Sequence, residues 1–282
     1  PDLLDIICIF FDMQDNIVRS AHEFFQALAE QTQQQAKVRH GLTLPALSMG
    51  EGYKTFQIWF ERLEQQCHNL PILFCIDEFE SLQENLSDQE LSITLKVVRS
   101  TTRKRQRIGW LFAGNTPLGD LATTWYKHLG HCQELELGYL TQISAQKLLT
   151  QPTSIFPKQT ISPIVAAAIY EQTSGHPYLL QLYGSLIVDH LNETGRLQAT
   201  LDDLVGIDFE ILNRADSYFK GIFRQIPASM KLPLRQLAQA PNDVEIEPET
   251  HQWLLKQGLI KADNTLRVPI FRRWLSEESS GA

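Results

Sequence analysis

Apolar residues in the first half of the chain fall into short unbroken runs, and in the second half into helical stripes. The run "DIICIFFD" (5–12) is rich in Ile and Phe and shows no polar alternation, the pattern of a strand buried on both faces. Two further runs have the same texture: 71–76 inside "LPILFCIDEFESL", and "RIGWLFAGN" (107–115). Between the runs the spacing becomes helical. Asn16 is placed to open a helix whose stripe is Ile17, Ala21, Phe24, Phe25 and Leu28. Residues 36–50 read as loop, a second helix begins near Thr55, and Ser87 caps a third over "SDQELSITLKVVRSTTRKRQ". "CQELELGYL" (132–140) alternates and predicts a strand at a sheet edge. Strands alternating with helices predict a parallel α/β sheet.

After Leu140 the strand runs stop. "TQISAQKLLTQP", "SPIVAAAIYEQTSGHPYLLQLYGSLIVDHL" and "TLDDLVGIDFEILNRADSYF" are helical. From Phe219 the pattern gives three helices, then "LIKADNTLRVP", two short strands around Ala262-Asp263-Asn264. Helices followed by a small hairpin predict a winged helix, with Trp253, Leu254, Leu255, Phe271 and Trp274 on its buried faces. The expected domains are 1–139 (α/β), 140–216 (helical) and 217–282 (winged helix).

Composition narrows the function classes. With 282 residues, 43% of them apolar, and 14 Phe, 7 Tyr and 5 Trp, the chain carries ample core material. Its net charge of −8 argues against a general polyanion binder. From Ser217 onward nine Lys/Arg face seven Asp/Glu, whereas DNA-binding domains concentrate basic charge on one face. DNA is therefore a disfavoured partner. No apolar run reaches a membrane span, and the early acids in "PDLLDIICIFFDMQD" do not suit a signal peptide. The four cysteines lack CxxC spacing, so a reducing, cytoplasmic compartment is expected. "HLGHC" (His128, His131, Cys132) is the one His/Cys cluster, with no fourth ligand in view.

The chemistry concentrates where strands end. Asp77 and Glu78 follow a buried apolar run, and ligands of open α/β sheets sit outside the carboxyl ends of the strands. In nucleotide hydrolysis one acid at such a place holds Mg²⁺ and a second orients or deprotonates the attacking water. The plain structural alternative is a capping acid followed by a first-turn acid. Asn115 ends the neighbouring strand, where an amide can hold water or a terminal phosphate; Asn is also a common turn residue. In "SGHPYLLQLYG" (174–184), Gly175 can close one helix and Pro177 open the next.

Taken together, "ILFCIDE", "GWLFAGN", "SGHP" and the tail "LIKADNTLRVPIFRRWL" resemble AAA+ ATPases, and more narrowly the STAND class of signal-transducing ATPases. The likeness runs from Asp5 to near the end, and rests on the order and spacing of short motifs. It implies ATP or ADP and Mg²⁺ as ligands, slow hydrolysis used as a switch, and a protein partner or self-association as output. Carried over residue by residue, Asp77 becomes the Mg²⁺ acid, Glu78 the catalytic base, Asn115 the sensor, and Gly175 and Pro177 the lid motif, with Pro177 near the adenine. The alternatives are a scaffold without nucleotide chemistry, or a winged-helix DNA-binding regulator. Two departures stand out. No G-x-x-x-x-G-K-[ST] occurs; the nearest lookalike, "GEGYKT" (50–55), has Tyr53 where a glycine is needed. The family's arginine position is empty, leaving Arg99, Arg103 and Arg105 as candidate phosphate sensors, or as a solvated helix end. The resemblance places the first strand and its phosphate loop immediately before Pro1, in a central slot between the 107–115 strand and 132–137. It therefore predicts a strand-wide gap, or a substitute strand, beside residues 108–113.

Overall fold

The structure is a computed structural model that describes residues 6–48, 52–67, 70–240, 244 and 246–280. The chain divides into two compact units, Pro1–Leu135 and Glu136–Ala282.

The first unit is built on three parallel strands, β1 (Ile7–Asp12), β2 (Ile72–Asp77) and β3 (Ile108–Phe112), in the order β1-β2-β3. Its helices are α1 (Ala21–His40), α2 (Tyr53–Gln66), α3 (Ser81–Asn85), α4 (Asp88–Lys104) and α5 (Thr123–Leu129), with a 3-10 turn at Leu118–Asp120. The register stacks Ile9, Phe74 and Trp110 across the sheet, and Phe11, Ile76 and Phe112 one step further along. These side chains meet Phe24 and Phe25 of α1 and Phe56, Trp59 and Phe60 of α2 in one aromatic core. The other face of the sheet carries Cys8, Phe10, Leu73, Cys75 and Leu111, which lie outside that core; Phe10 is 53% and Leu111 48% exposed.

Sequence and structure differ at several element ends. The first helix starts at Ser20, not Asn16. Ser20 Oγ accepts from Glu23 N at 3.1 Å, while Asn16 bonds the Asp12 carbonyl and Ile17 stands exposed before the helix. It also runs on to His40, into part of the expected loop, until Gly41 closes it at φ +66°. Ser87 caps α4 as expected, accepting from Glu90 N. Residues 132–140 form no strand; Leu135 and Leu137 are 73% and 95% exposed, so the alternation has no face to bury. Among the described residues no strand pairs with the outer edge of β3.

The second unit holds α6 (Gln142–Thr150), α7 (Pro163–Thr173), α8 (Pro177–Thr194), α9 (Asp203–Arg214), α10 (Asp216–Gln225), α11 (Ala228–Gln239), α12 (Pro248–Lys256) and α13 (Pro269–Ser280). One core runs from Ala145 to Leu275, with Phe219, Phe271 and Trp274 clustered at ring separations of 5.3–5.8 Å. The residues expected as separate helical and winged-helix domains thus share their interior. The expected hairpin narrows to a single antiparallel bridge, Ile260 with Leu266, with Asn264 at φ +66° in its turn. Leu254, Phe271 and Trp274 are buried and Trp253 is half-buried. Leu255 is 41% exposed, because the buried stripe of α12 follows Thr250 and Leu254.

Candidate functional site at the carboxyl edge of the sheet

β2 ends at Asp77, directly opposite Asp12, the last residue of β1. The chain then bends through a conformation that few side chains adopt: Glu78 has φ +51°. The bend lets Phe79 N donate to the Ala113 carbonyl just past β3, and seats the Phe79 ring against Phe112 and Trp125. A left-handed non-glycine residue is strained, and here the strain sits between a strand and the helical turn that follows it. Asp77 Oδ1 accepts from the Glu78 N–H at 3.0 Å, so it stays at the strand end, exposed.

Glu80 completes the arrangement. Its Oε1 accepts from Asn115 N at 2.7 Å, tying the turn after β3 to the turn after β2. Its Oε2 is buried, and a side chain on Gly114 would overlap it: a Cβ there would lie 1.9 Å away. The loop that carries Asn115 is therefore held by a carboxylate inserted over a glycine. Asn115 itself is exposed.

Asp12, Asp77, Glu78 and Glu80 gather at one edge. Partial burial pushes the Glu78 carboxyl above the usual range, and the neighbouring charges of Glu80, Asp77 and Asp12 add to that rise. Negative charge accumulates here without a basic partner in any ion pair among the described residues. Such an edge can polarise a water molecule and attract a hard cation.

The other candidates read from the sequence lie elsewhere. Arg99 donates to the Lys127 carbonyl at 3.1 Å, and Arg105 pairs with Glu64 at 3.1 Å. Arg103 is exposed near the end of α4. Arg99 sits about 16 Å along the helix from Asp88, toward the end that leads into the start of β3. The direction of α4 thus carries these arginines away from the carboxyl edge of their own sheet. In "GEGYKT", Gly50 and Glu51 lie outside the described residues; Gly52 is the N-cap of α2, and Tyr53 and Lys54 are already helical. Gly175 and Pro177 belong to the second unit. There Ser174, at φ +50°, closes α7, Gly175 follows at φ +84°, and Pro177 takes the first position of α8. Asp12 and Glu80 are the acids of this edge that the motifs did not mark. The visible signal of Glu80 was a third acid in "IDEFE", two positions beyond the pair.

Comparison with known proteins adds to this geometry. No protein-family model and no curated protein matches the chain. Solved structures do. The chain is similar to a Walker-type ATPase of Pyrococcus abyssi at 13% identity and a TM-score of 0.57, covering 95% of this chain and 84% of that one. It is also similar to the Thermotoga maritima RuvB Holliday junction branch migration motor, at 14% identity and TM-score 0.44 over 92% of this chain and 83% of that one. A third likeness is to the Aeropyrum pernix ORC1 protein in complex with DNA, at 14% identity and TM-score 0.46 over 97% and 78%. The sheet order, the helices and the likeness to the Pyrococcus ATPase make the fold that of a P-loop NTPase.

Proposed function

We propose that the first unit is the nucleotide-handling part of an ATP-binding, slowly hydrolysing switch of the STAND type. The observation that carries this reading is the end of β2: an exposed Asp77, a strained Glu78 with its carboxyl pKa raised, and Asn115 tied alongside through Glu80. In this reading Asp77 holds Mg²⁺, Glu78 takes a proton from the attacking water, and Asn115 orients water or the terminal phosphate. The donor set fits the ion. Among the described residues no group of three His, Cys, Asp or Glu forms a ready cation cage. Mg²⁺ at nucleotide sites is held by one or two carboxylates together with phosphates and water, so a full cage is not required. When bound, the ion neutralises phosphate charge.

The phosphates themselves need a glycine-rich loop, which this reading assigns to a segment outside Pro1–Ala282. The open outer edge of β3 and the uncovered face of Phe10 and Leu111 are where its strand and helix pack. Gly175 and Pro177 serve as the lid motif. The winged-helix-like tail is a structural element, its apolar side chains sunk in the core it shares with α6–α9. Output runs through a protein partner or a second copy.

The test uses the polypeptide translated from the full natural reading frame. It should bind a fluorescent ATP analogue in the presence of Mg²⁺. Glu78→Gln should keep that binding and lower turnover about 100-fold or more, the scale of a lost general base. Asp77→Ala should weaken the Mg²⁺-dependent part of binding. Equal turnover in native and Glu78→Gln protein rejects the role of Glu78. No nucleotide binding at all favours a scaffold.

A further inference from the structure

α9 turns one face to the core of the second unit through Leu204, Ile207 and Ile211. Its opposite face presents Asp202, Val205, Gly206, Phe209 and Asn213, which helical spacing brings to one side. Val205 is 76% and Phe209 60% exposed, and Leu201, in the turn before the helix, is 49% exposed. An exposed apolar side chain standing alone needs no explanation. These three follow one another on successive turns and lie outside the core. Gly206 interrupts the stripe, and nothing lies within 4 Å of where its Cβ would be. Glycine weakens a helix interior, and it leaves room for another backbone to come close.

The charge around the stripe has one sign. From Asp189 to Arg214 the sequence holds six acids and two arginines. Both arginines are already paired, Arg196 with Asp203, and Arg214 with Glu210 at 2.8 Å. The Glu210 hydrogen bond, and then the charges of Glu210, Asp189 and Glu193, raise the Arg214 pKa, which places the last two acids, on α8, beside the end of α9. Asp189, Glu193 and Asp202 are exposed and enter no ion pair among the described residues. The apolar stripe is therefore framed by acids that lack cations of their own. A second copy of the chain, at a net charge of −8, is disfavoured at such a frame.

We propose that this face of α9 docks a basic amphipathic helix from a protein partner. The apolar stripe of the partner helix packs on Leu201, Val205 and Phe209, and its backbone comes closest at Gly206. Its Lys or Arg side chains meet Asp189, Glu193 and Asp202 at the rim, where charge sets orientation and encounter rate more than affinity. The face belongs to the second unit alone, and it is the same whether or not the first unit handles nucleotide.

The test titrates the intact 282-residue chain into a fluorescein-labelled amphipathic helix made of Leu and Lys, and into the same peptide with Glu for Lys, by fluorescence anisotropy. The Lys peptide should bind and the Glu peptide should not. Phe209→Ser and Val205→Ser alter exposed side chains and should leave the circular dichroism spectrum unchanged. Each should weaken the Lys peptide about tenfold or more, the scale of a lost anchor side chain. Leu232→Ser, at an apolar residue of α11 that is 64% exposed, should leave binding as it was. Asp189→Asn combined with Glu193→Gln and Asp202→Asn should flatten the salt dependence of binding. Equal binding of the two peptides overturns the proposal, as does binding that Phe209→Ser does not change. Light scattering of the chain alone decides the remaining occupant: self-association that Phe209→Ser abolishes assigns the face to a second copy and overturns the partner helix.

Discussion

β1 and β3 are both edge strands, yet they end the sheet in different ways. Alternate residues of β1 point their backbone groups away from β2, and side chains cover those of Phe10 and the Asp12 carbonyl. Gln35 of α1 accepts from Phe10 N at 3.0 Å and donates to Phe10 O at 2.6 Å, and Asn16 donates to the Asp12 carbonyl at 2.8 Å. The Arg39 guanidinium lies 5.1 Å over the Phe10 ring. On β3, Arg107 O and Ala113 N bond to β2, which turns the backbone of Ile108, Trp110 and Phe112 outward. Among the described residues nothing pairs with those groups. Natural sheets blunt the edges at which they stop. This sheet is blunted at β1 and left ready for pairing at β3. The helices repeat the contrast by covering one face and leaving Phe10 and Leu111 on the other.

The largest effect should separate the two faces. Phe74→Ala removes a fully buried ring stacked on Trp110, and should cost about 3–5 kcal/mol. Leu111→Ala on the uncovered face should cost less than about 1 kcal/mol, near the ordinary surface range. Urea denaturation of the intact chain measures both, and similar losses would mean that the second face is covered after all.

A smaller effect should come from the finished edge. Gln35→Ala leaves Phe10 N and O without their side-chain partner, at about 1–2 kcal/mol. It should also make association concentration-dependent, which light scattering detects. Unchanged stability and a monodisperse solution would show that Gln35 does not guard the edge.

The smallest effect is on pH dependence. Burial lowers the His176 pKa, and burial followed by Lys127, Arg99 and Lys96 lowers that of His128. The groups packed on His176 are Tyr139, carrying Arg267 on its face, and Tyr218. Both imidazoles take up a proton less readily in the fold than in the unfolded chain, so below about pH 6.5 the unfolded chain takes up protons first. Their contribution is complete above that pH and is lost as pH falls toward the folded values. Urea midpoints should therefore drop between pH 7.5 and 5.5, and drop less in His176→Gln. An identical slope in that variant removes His176 from the account.

Much of the architecture was legible because its physics is local. Unbroken apolar runs gave β1, β2 and β3, and Ser87 with Glu90 three residues later gave the start of α4. The same rule identifies Ser20 with Glu23, but Asn16 is an equally good capping residue, and only its bond to Asp12 O decides between them. The alternation of 132–140 was a true local preference with no partner strand to satisfy it among the described residues. Leu255 was misassigned because a short helix leaves the phase of its stripe open. At the site, Asp77, Glu78 and Asn115 were visible as strand-end residues. Glu80 was not, because its partner lies 35 positions away, and nothing local marks a carboxylate that crosses between strands.

That crossing changes how substitutions at the two positions combine. Gly114 and Glu80 occupy one volume between them: a methyl on the first displaces the carboxylate of the second. Gly114→Ala alone should loosen the Asn115 turn, whereas Gly114→Ala with Glu80→Ala has no overlap left to relieve. The two positions form an epistatic pair, in which the harm of one change depends on the residue at the other. Among divergent sequences of this fold they should vary together, and neither letter alone would mark the bridge.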